Sequence, residues 1–278
     1  MMRIYICADG EGISGIVSSE EMHYKGREWE HFRKLMTMDV NVAIAGAFEA
    51  GATEVVVNDA HWNSLNLIYE ELDPRADIIR GSTKELSMVH QIDQADGLFF
   101  IGLHAKVGHS HGVGNESYFG PEMYELRMNG KPIGELELFG AIAGYYDVPV
   151  LMVSGDDCLA AEAQESIGDI ETAVVKYSIN RFAARCLSLE RAHKEIKEKA
   201  FRAVKRFKEI NPFKVEGPVE FEVEWTGTAE CKKASLVPGT YVKSPRIIAY
   251  KGETVLEAWK GIYPAMLLGA SAFDKYYG

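Results

Sequence analysis

The chain has 278 residues, enough for one large or two modest domains around a substantial core, and its 47% hydrophobic and 26% charged residues are ordinary for a globular protein. A formal net charge of −11 argues against nucleic acid or an anionic membrane as the main partner, because both would be repelled, and it suits the binding of cations. The four cysteines, Cys7, Cys158, Cys186 and Cys231, are scattered without a C-x-x-C pair, which leaves no basis for a disulfide framework or a thiolate zinc site. No apolar run approaches the ~18 residues that span a bilayer. Arg3 leads straight into a short strand and then acids, unlike a signal peptide, so the expected location is cytoplasmic.

Short β-rich runs alternate with helical patterns through the first half, the rhythm of an α/β fold whose mainly parallel sheet is flanked by helices. Residues 3–8 (RIYICA) form the first expected strand, and DGEGISG follows it. Residues 28–50 have the pattern of a long amphipathic helix, with Leu35, Met38, Val40, Val42, Ala43 and Phe48 on its apolar face and Gly51 as its stop. Residues 53–57 and the ADIIRG segment are the next strands, and residues 97–104 are apolar enough for a strand buried on both faces. YELRMNGKPIGELEL has the form of a hairpin turning at Asn129 and Gly130, with Glu135 and Glu137 on its return strand. A small-residue helix near 137–145 and a buried strand in VPVLMVSGDD follow. Then come a charged helix over 189–208, two strands in PVEFEVEW and RIIAY, and a last helix over 253–268. The rhythm changes near residue 168. The expected division is therefore an α/β metal-binding catalytic domain, 1–168, and a smaller α+β C-terminal domain, 169–278.

Gly10, Gly12 and Gly15 spell G-x-G-x-x-G after a strand, the form of a dinucleotide-binding turn. That alternative, a nucleotide-binding α/β protein, meets three objections. The helical pattern starts only near residue 28, so no helix N-terminus faces a pyrophosphate at the glycines. Glu11 would set a carboxylate against the phosphates. The acid at the end of the second strand, Asp59, lies far beyond the ~20 residues at which a ribose-binding acid is expected. The glycines instead let the strand end fold tightly and point Asp9 and Glu11 at a common centre.

Other strand ends carry matching chemistry. NDAHWNS presents Asp59 and His61, LFFIGL ends in His104 with His109 and His111 beyond, and GELEL holds Glu135 and Glu137. The carboxyl ends of parallel strands share one edge of a sheet, where ligands bind. Asp9, Glu11, His61, His104 and Glu135 are thereby expected to converge. Carboxylates with imidazoles and no thiolate suit Zn2+, with Mn2+ or Co2+ also compatible. One divalent ion would leave this set negative, whereas two make it slightly positive, a remainder that a hydroxide neutralises; the charge favours two ions with one carboxylate bridging. Each residue alone has a plainer role: Asp59 as a helix cap, His104 as a core histidine, Glu135 as a solvated strand residue. The coincidence of several strand ends favours the metal.

The segments ADGEGISG, VNDAHWN, GLHAK, GELELFG, YYDVPVLMVSGDD, AVVKYSINR and CLS together resemble the D-aminopeptidase family of dinuclear zinc peptidases, over essentially the whole chain. The resemblance implies two zinc ions per subunit and a homo-oligomer, a decameric ring assembly with its active sites in an internal chamber. It implies Asp9, Glu11, His61, His104 and Glu135 as ligands, with Asp9 bridging, and it selects Glu135 over Glu137. One departure stands out: Glu116 occupies the position where the family pattern has a histidine proposed to be catalytic. Glutamate can serve as a general base, and His109 or His111 could supply an imidazole from a loop. Asp156 and Asp157 either accept a substrate ammonium or cap the next helix. The expected activity is a metal-dependent aminopeptidase acting on short peptides or aminoacyl amides, with Glu116 as catalytic residue. A catalytically altered metal-binding homologue is the alternative that the Glu116 difference raises.

Overall fold

The structure is a computed structural model that describes residues 1–272 and Asp274. In chain order its strands and helices are β1 (Arg3–Ala8), α1 (Ser19–Met22), α2 (Trp29–Ala50), β2 (Glu54–Asp59), β3 (Ala76–Ile79), β4 (Gly97–Ile101), β5 (Met123–Met128), β6 (Lys131–Ile133), α3 (Glu135–Tyr145), β7 (Val150–Asp156) and α4 (Asp157–Ser166). They continue with β8 (Glu171–Asn180), β9 (Ala183–Cys186), α5 (Leu189–Lys205), β10 (Val219–Trp225), α6 (Thr228–Ala234), β11 (Tyr241–Ser244), β12 (Ile247–Gly252) and α7 (Val255–Ala270).

Seven strands form the first sheet in the order β3-β2-β1-β4-β7-β8-β9, parallel except for the antiparallel pair β8–β9 at one edge. Five antiparallel strands form the second, in the order β11-β12-β10-β5-β6. The α/β fold with a mainly parallel sheet is thus the one expected. β1 is central because Ile4, Tyr5, Ile6, Cys7 and Ala8 are all buried, as a strand covered on both faces requires. α2 buries Phe32, Met36, Val40, Ala43, Ile44 and Ala47 along one stripe, packs against α5 and the parallel sheet, and stops at Gly51 in the left-handed region (φ 112°). α3 packs on β7 and on α7, and α7 lies on β10 and β12, so α3 joins the two sheets. Phe139 of α3 meets Trp259 of α7 with ring centroids 5.4 Å apart, and the Trp259 indole donates to the Glu85 carbonyl.

Several boundaries differ from expectation for local physical reasons. β2 runs on to Asp59, whereas β4 stops at Ile101 because Gly102 turns out of the strand at φ 79°, which leaves His104 in the following loop. Glu135 and Glu137 are not on a return strand. β6 ends at Ile133, and both acids occupy the first turn of α3, where Glu137 Oε2 accepts from the Gly134 amide at 2.8 Å. The short α1 inside IVSSEEM escaped the sequence pattern; Ser18 and Glu21 cap it. Both sheets draw strands from either side of residue 168: β8 and β9 extend the first, and β5 and β6 belong to the second. No helix among the described residues is long and apolar enough to cross a membrane.

β1 pairs with both β2 and β4, so the strand order turns at its carboxyl end, where an open parallel sheet leaves a crevice. The glycine loop enters that crevice against the β4 exit: the Asp9 amide donates to the Ile101 carbonyl at 2.8 Å and the Gly12 amide to the Gly102 carbonyl at 2.7 Å. A Cβ on Gly12 would sit 2.1 Å from the Leu103 carbonyl oxygen, a contact that only movement of main chain relieves. Gly12→Ala is therefore expected to destabilise the fold by about 1–3 kcal/mol, the usual range for overpacking. Urea unfolding checks this, and a midpoint equal to wild type would contradict the close approach.

Candidate metal centre

Asp9 and Glu11 leave the end of β1, His61 follows β2, His104 follows β4, and Glu135 opens α3. All five predicted ligand residues meet in the crevice. His61 Nδ1 lies 3.3 Å from Asp9 Oδ1 and 3.3 Å from Glu11 Oε2. His104 Nε2 lies 3.5 Å from Asp9 Oδ2 and 3.4 Å from Glu135 Oε1. The side chains thus form two triads, Asp9–Glu11–His61 and Asp9–His104–Glu135, each with its donor atoms within 4.8 Å of one another, and Asp9 belongs to both.

Surrounding bonds aim these groups. His104 Nδ1 faces the Ala105 carbonyl at 3.0 Å, so that nitrogen carries the proton and Nε2 turns to the acids. Glu135 Oε1 accepts from the Tyr118 amide at 2.6 Å. The His61 ring stands edge-on to Phe32 at 5.5 Å, and a Cβ on Gly10 would come within 2.7 Å of its Nδ1, so glycine there leaves room for the imidazole.

Asp9 is 4% exposed and Glu11 7%, and Asp9 Oδ2 and Glu11 Oε2 make no well-formed hydrogen bond, their neighbours being the imidazoles of His104 at 3.5 Å and His61 at 3.3 Å. Buried carboxylate oxygens so weakly bonded are costly, and a cation between them and the imidazoles is the usual remedy. A donor set of carboxylates and imidazoles without sulfur fits Zn2+. The residues present fit a two-ion site.

Titration behaviour reflects the same crowding. Burial, then the Glu11 charge, pushes the Asp9 carboxyl up to about 6. Burial acts against ionisation of Glu11 as well, but His61 and His104 outweigh it and draw its pKa down to about 2. Burial disfavours charge on both imidazoles, yet Glu11 and Asp9 raise His61, and Glu135, Asp9 and Glu11 raise His104, well above the usual 6.5.

The other candidates have structural employment. Asp59, fully buried, accepts from the Asn66 and Leu67 amides and shapes the loop that presents His61. Asp156 caps α4 through the Leu159 amide at 2.8 Å and also accepts from the Val113 amide and Ser178 Oγ; Asp157 accepts from the Ser178 amide. These bonds favour the capping role for Asp156. Neither His109 nor His111 reaches the crevice: His109 Nδ1 faces the Gly112 amide, and exposed His111 bonds to Ser110. Glu116 does line it. Its main chain bridges to Lys106, and a Cβ on Gly120 would lie 2.1 Å from its Oε2, so that glycine leaves space for the carboxylate. A cavity of about 670 Å³ opens over the cluster, with Trp62, Met22, Tyr118, Phe119 and Tyr263 among its walls.

The glycine loop does not have the geometry of a nucleotide site. Its nearest long helix, α2, begins at Trp29, and Glu11 faces an imidazole. Sequence reasoning missed Lys84, whose Nζ donates to Asn58 Oδ1, the Asp59 carbonyl and Ser64 Oγ, and Lys176, whose Nζ donates to the carbonyls of Glu11, Ile13 and Ile16. The one signal for Lys176 was a charged residue inside the apolar run AVVKYSI.

A doubled carboxylate–imidazole cluster at the switch point of a parallel sheet is the architecture of a metallohydrolase. The chain belongs to the D-aminopeptidase family of peptidases, whose profile matches residues 2–263. It is 38% identical to the D-aminopeptidase of Bacillus subtilis strain 168 over 269 residues, 96% of each sequence. The fold is similar to that of the Zn-dependent D-aminopeptidase DppA from Bacillus subtilis, a self-compartmentalizing protease, with a TM-score of 0.93 and 36% identity over 96% of this chain and 98% of that one.

With His61 and His104 raised, ion binding must displace protons that the metal-free cluster holds at neutral pH. Apparent zinc affinity is therefore expected to climb by about tenfold or more per pH unit from pH 6 to 8. Calorimetry in buffers of different ionisation enthalpy reads the released protons. A flat affinity across that range would contradict the electrostatics.

Proposed function

We propose that the chain is a metal-dependent aminopeptidase that removes the N-terminal residue, a D-residue by likeness to its relatives, from short peptides or aminoacyl amides. The observation that carries this reading is the pair of buried carboxylate–imidazole triads sharing Asp9, with two carboxylate oxygens that make no well-formed hydrogen bond. Asp9, Glu11 and His61 would hold one zinc ion, and Asp9, His104 and Glu135 the other. Bound zinc supplies Lewis-acid polarisation of the scissile carbonyl and a water acidic enough to attack near neutral pH.

Glu116 carries the proton chemistry. Burial, then the charges of Glu11, Glu135 and Asp9, push its carboxyl up to about 8, against the opposing pull of His104. Zinc beside those acids would offset their charge and bring Glu116 lower, toward a carboxylate able to take a proton from the attacking water and hand it to the leaving amine nitrogen. The strand bridge to Lys106 holds it over the loop that carries His104. A carboxyl held at this place beside the cluster can carry the proton for which the family pattern has a histidine, which favours an active enzyme over an altered homologue. The apolar cavity wall suits a side chain of the N-terminal residue, and excludes water from it.

Homo-oligomeric assembly belongs to the same reading. Ile179 and Phe182 stand exposed around the β8–β9 turn, and a relative is a self-compartmentalizing protease.

Chelation is expected to abolish hydrolysis of a D-aminoacyl amide and zinc to restore it; activity that survives complete zinc removal would overturn the mechanism. Glu116→Gln is expected to lower kcat by ~10²–10⁴-fold, the usual contribution of a general acid–base, with zinc content unchanged. Wild-type turnover in that variant would remove Glu116 from the mechanism and leave the metal centre standing.

A further inference from the structure

Glu11 sits in a loop punctuated by Gly10, Gly12 and Gly15, the last at φ 85°, and glycines leave a chain free to move. A metal ligand needs the opposite. Two fully buried charged side chains outside the cavity lining, Lys176 of β8 and Asp39 of α2, bond to the main chain of this loop.

We propose that Lys176 and Asp39 are positioning residues that clamp the glycine loop and thereby set the Glu11 carboxylate in the metal centre. Lys176 Nζ donates to the carbonyls of Glu11 at 2.5 Å, Ile13 at 3.0 Å and Ile16 at 2.6 Å. An ammonium has three donors, and all three are spent on this one loop. Asp39 Oδ2 accepts from the Ser14 amide at 2.8 Å, while Oδ1 stands 3.2 Å from His193 Nε2 of α5. The cation thus takes the loop's carbonyls and the anion takes its amide, from two elements that are themselves fixed by packing of α2 and α5 on the sheet.

The arrangement is selective. A buried ammonium is costly to desolvate, a cost that an apolar side chain would avoid. Its three acceptors are main-chain carbonyls, so the bonds act on the path of the backbone. Pinning the Glu11 carbonyl restricts the peptide on one side of the Glu11 Cα, and the Gly12 amide bond to Gly102 restricts the same peptide from its other end. The Glu11 side chain then leaves toward His61 Nδ1 rather than sampling the cavity. The second triad does not depend on these carbonyls: Asp9 directly follows β1, His104 lies three residues past β4, and Glu135 opens α3. Loss of the clamp should therefore affect one ion and spare the other.

This inference rests on the assignment of Glu11 as a ligand, and the test separates the two. Zinc stoichiometry and affinity are measured on the full chain by competition with a chromophoric chelator, for wild type, Lys176→Met and Asp39→Ala, with circular dichroism to establish folding. The expected result is one ion per chain held at wild-type affinity in each folded variant and a second weakened ~10–100-fold, the usual effect of removing support behind a ligand. Two ions at wild-type affinity in either folded variant would overturn the clamp, and so would equal weakening of both ions. If Lys176→Met fails to fold, Asp39→Ala decides by the same criteria. Wild-type protein that binds no zinc would instead overturn the metal assignment itself.

Discussion

Two carboxylates buried side by side at the end of β1 set the terms for the rest of this molecule. Asp9 and Glu11 repel each other, have lost most of their water, and each keeps an oxygen whose nearest donor is a histidine nitrogen at 3.3–3.5 Å, without a well-formed hydrogen bond. In a low-dielectric interior that arrangement is strongly unfavourable unless positive charge compensates it. His61 and His104 supply part of the compensation as raised imidazoles, and divalent ions would supply more. Zinc bound at these residues would couple to the stability of the sheet edge, since what neutralises the acids would also hold the strand ends together.

The surroundings follow from that constraint. A parallel sheet brings β2, β1 and β4 side by side with their carboxyl ends at one edge, which is the cheapest way to gather ligands so distant in sequence. The second sheet adds what the first lacks. Its β5–β6 hairpin delivers the chain to α3 and hence Glu135, and α7, packed on β10 and β12, contributes Tyr263 to the cavity wall. Tyr118 does double service, since its amide holds Glu135 while its ring packs in the aromatic group with Phe139 and Trp259.

Much of this was legible in the residues because it is local or periodic. The apolar run of β1 and the existence of α2 identify themselves, but the buried stripe of α2 does not. Val40 and Ala43 of the expected face are buried, Met38 is exposed, and Phe32, Met36, Ile44 and Ala47 face the core instead, because apolar residues line most of this helix and only its packing on α5 and the sheet picks the buried side. Strand ends bearing acids and histidines point to an edge site once the sheet is judged parallel. Glu135 lies in the expected cluster but on a different element: GELEL alternates like a strand, and only the Glu137 bond to the Gly134 amide turns it into a helix start. The membership of β8 and β9 in the first sheet, and of β5 and β6 in the second, rests on pairings between distant segments that no local pattern encodes. Lys176 and Asp39 were illegible for a related reason. Their partners are main-chain carbonyls and an amide, which carry no side-chain signature, and Asp39 in TMDVNV looks like an ordinary polar helix position.

Anomalous diffraction at the zinc edge on crystals of the zinc-loaded protein tests the central claim most directly. The account predicts two peaks per chain, one among Asp9, Glu11 and His61 and one among Asp9, His104 and Glu135, with Asp9 touching both. A single peak, or zinc bound elsewhere with Asp9 and Glu11 unliganded, would contradict it.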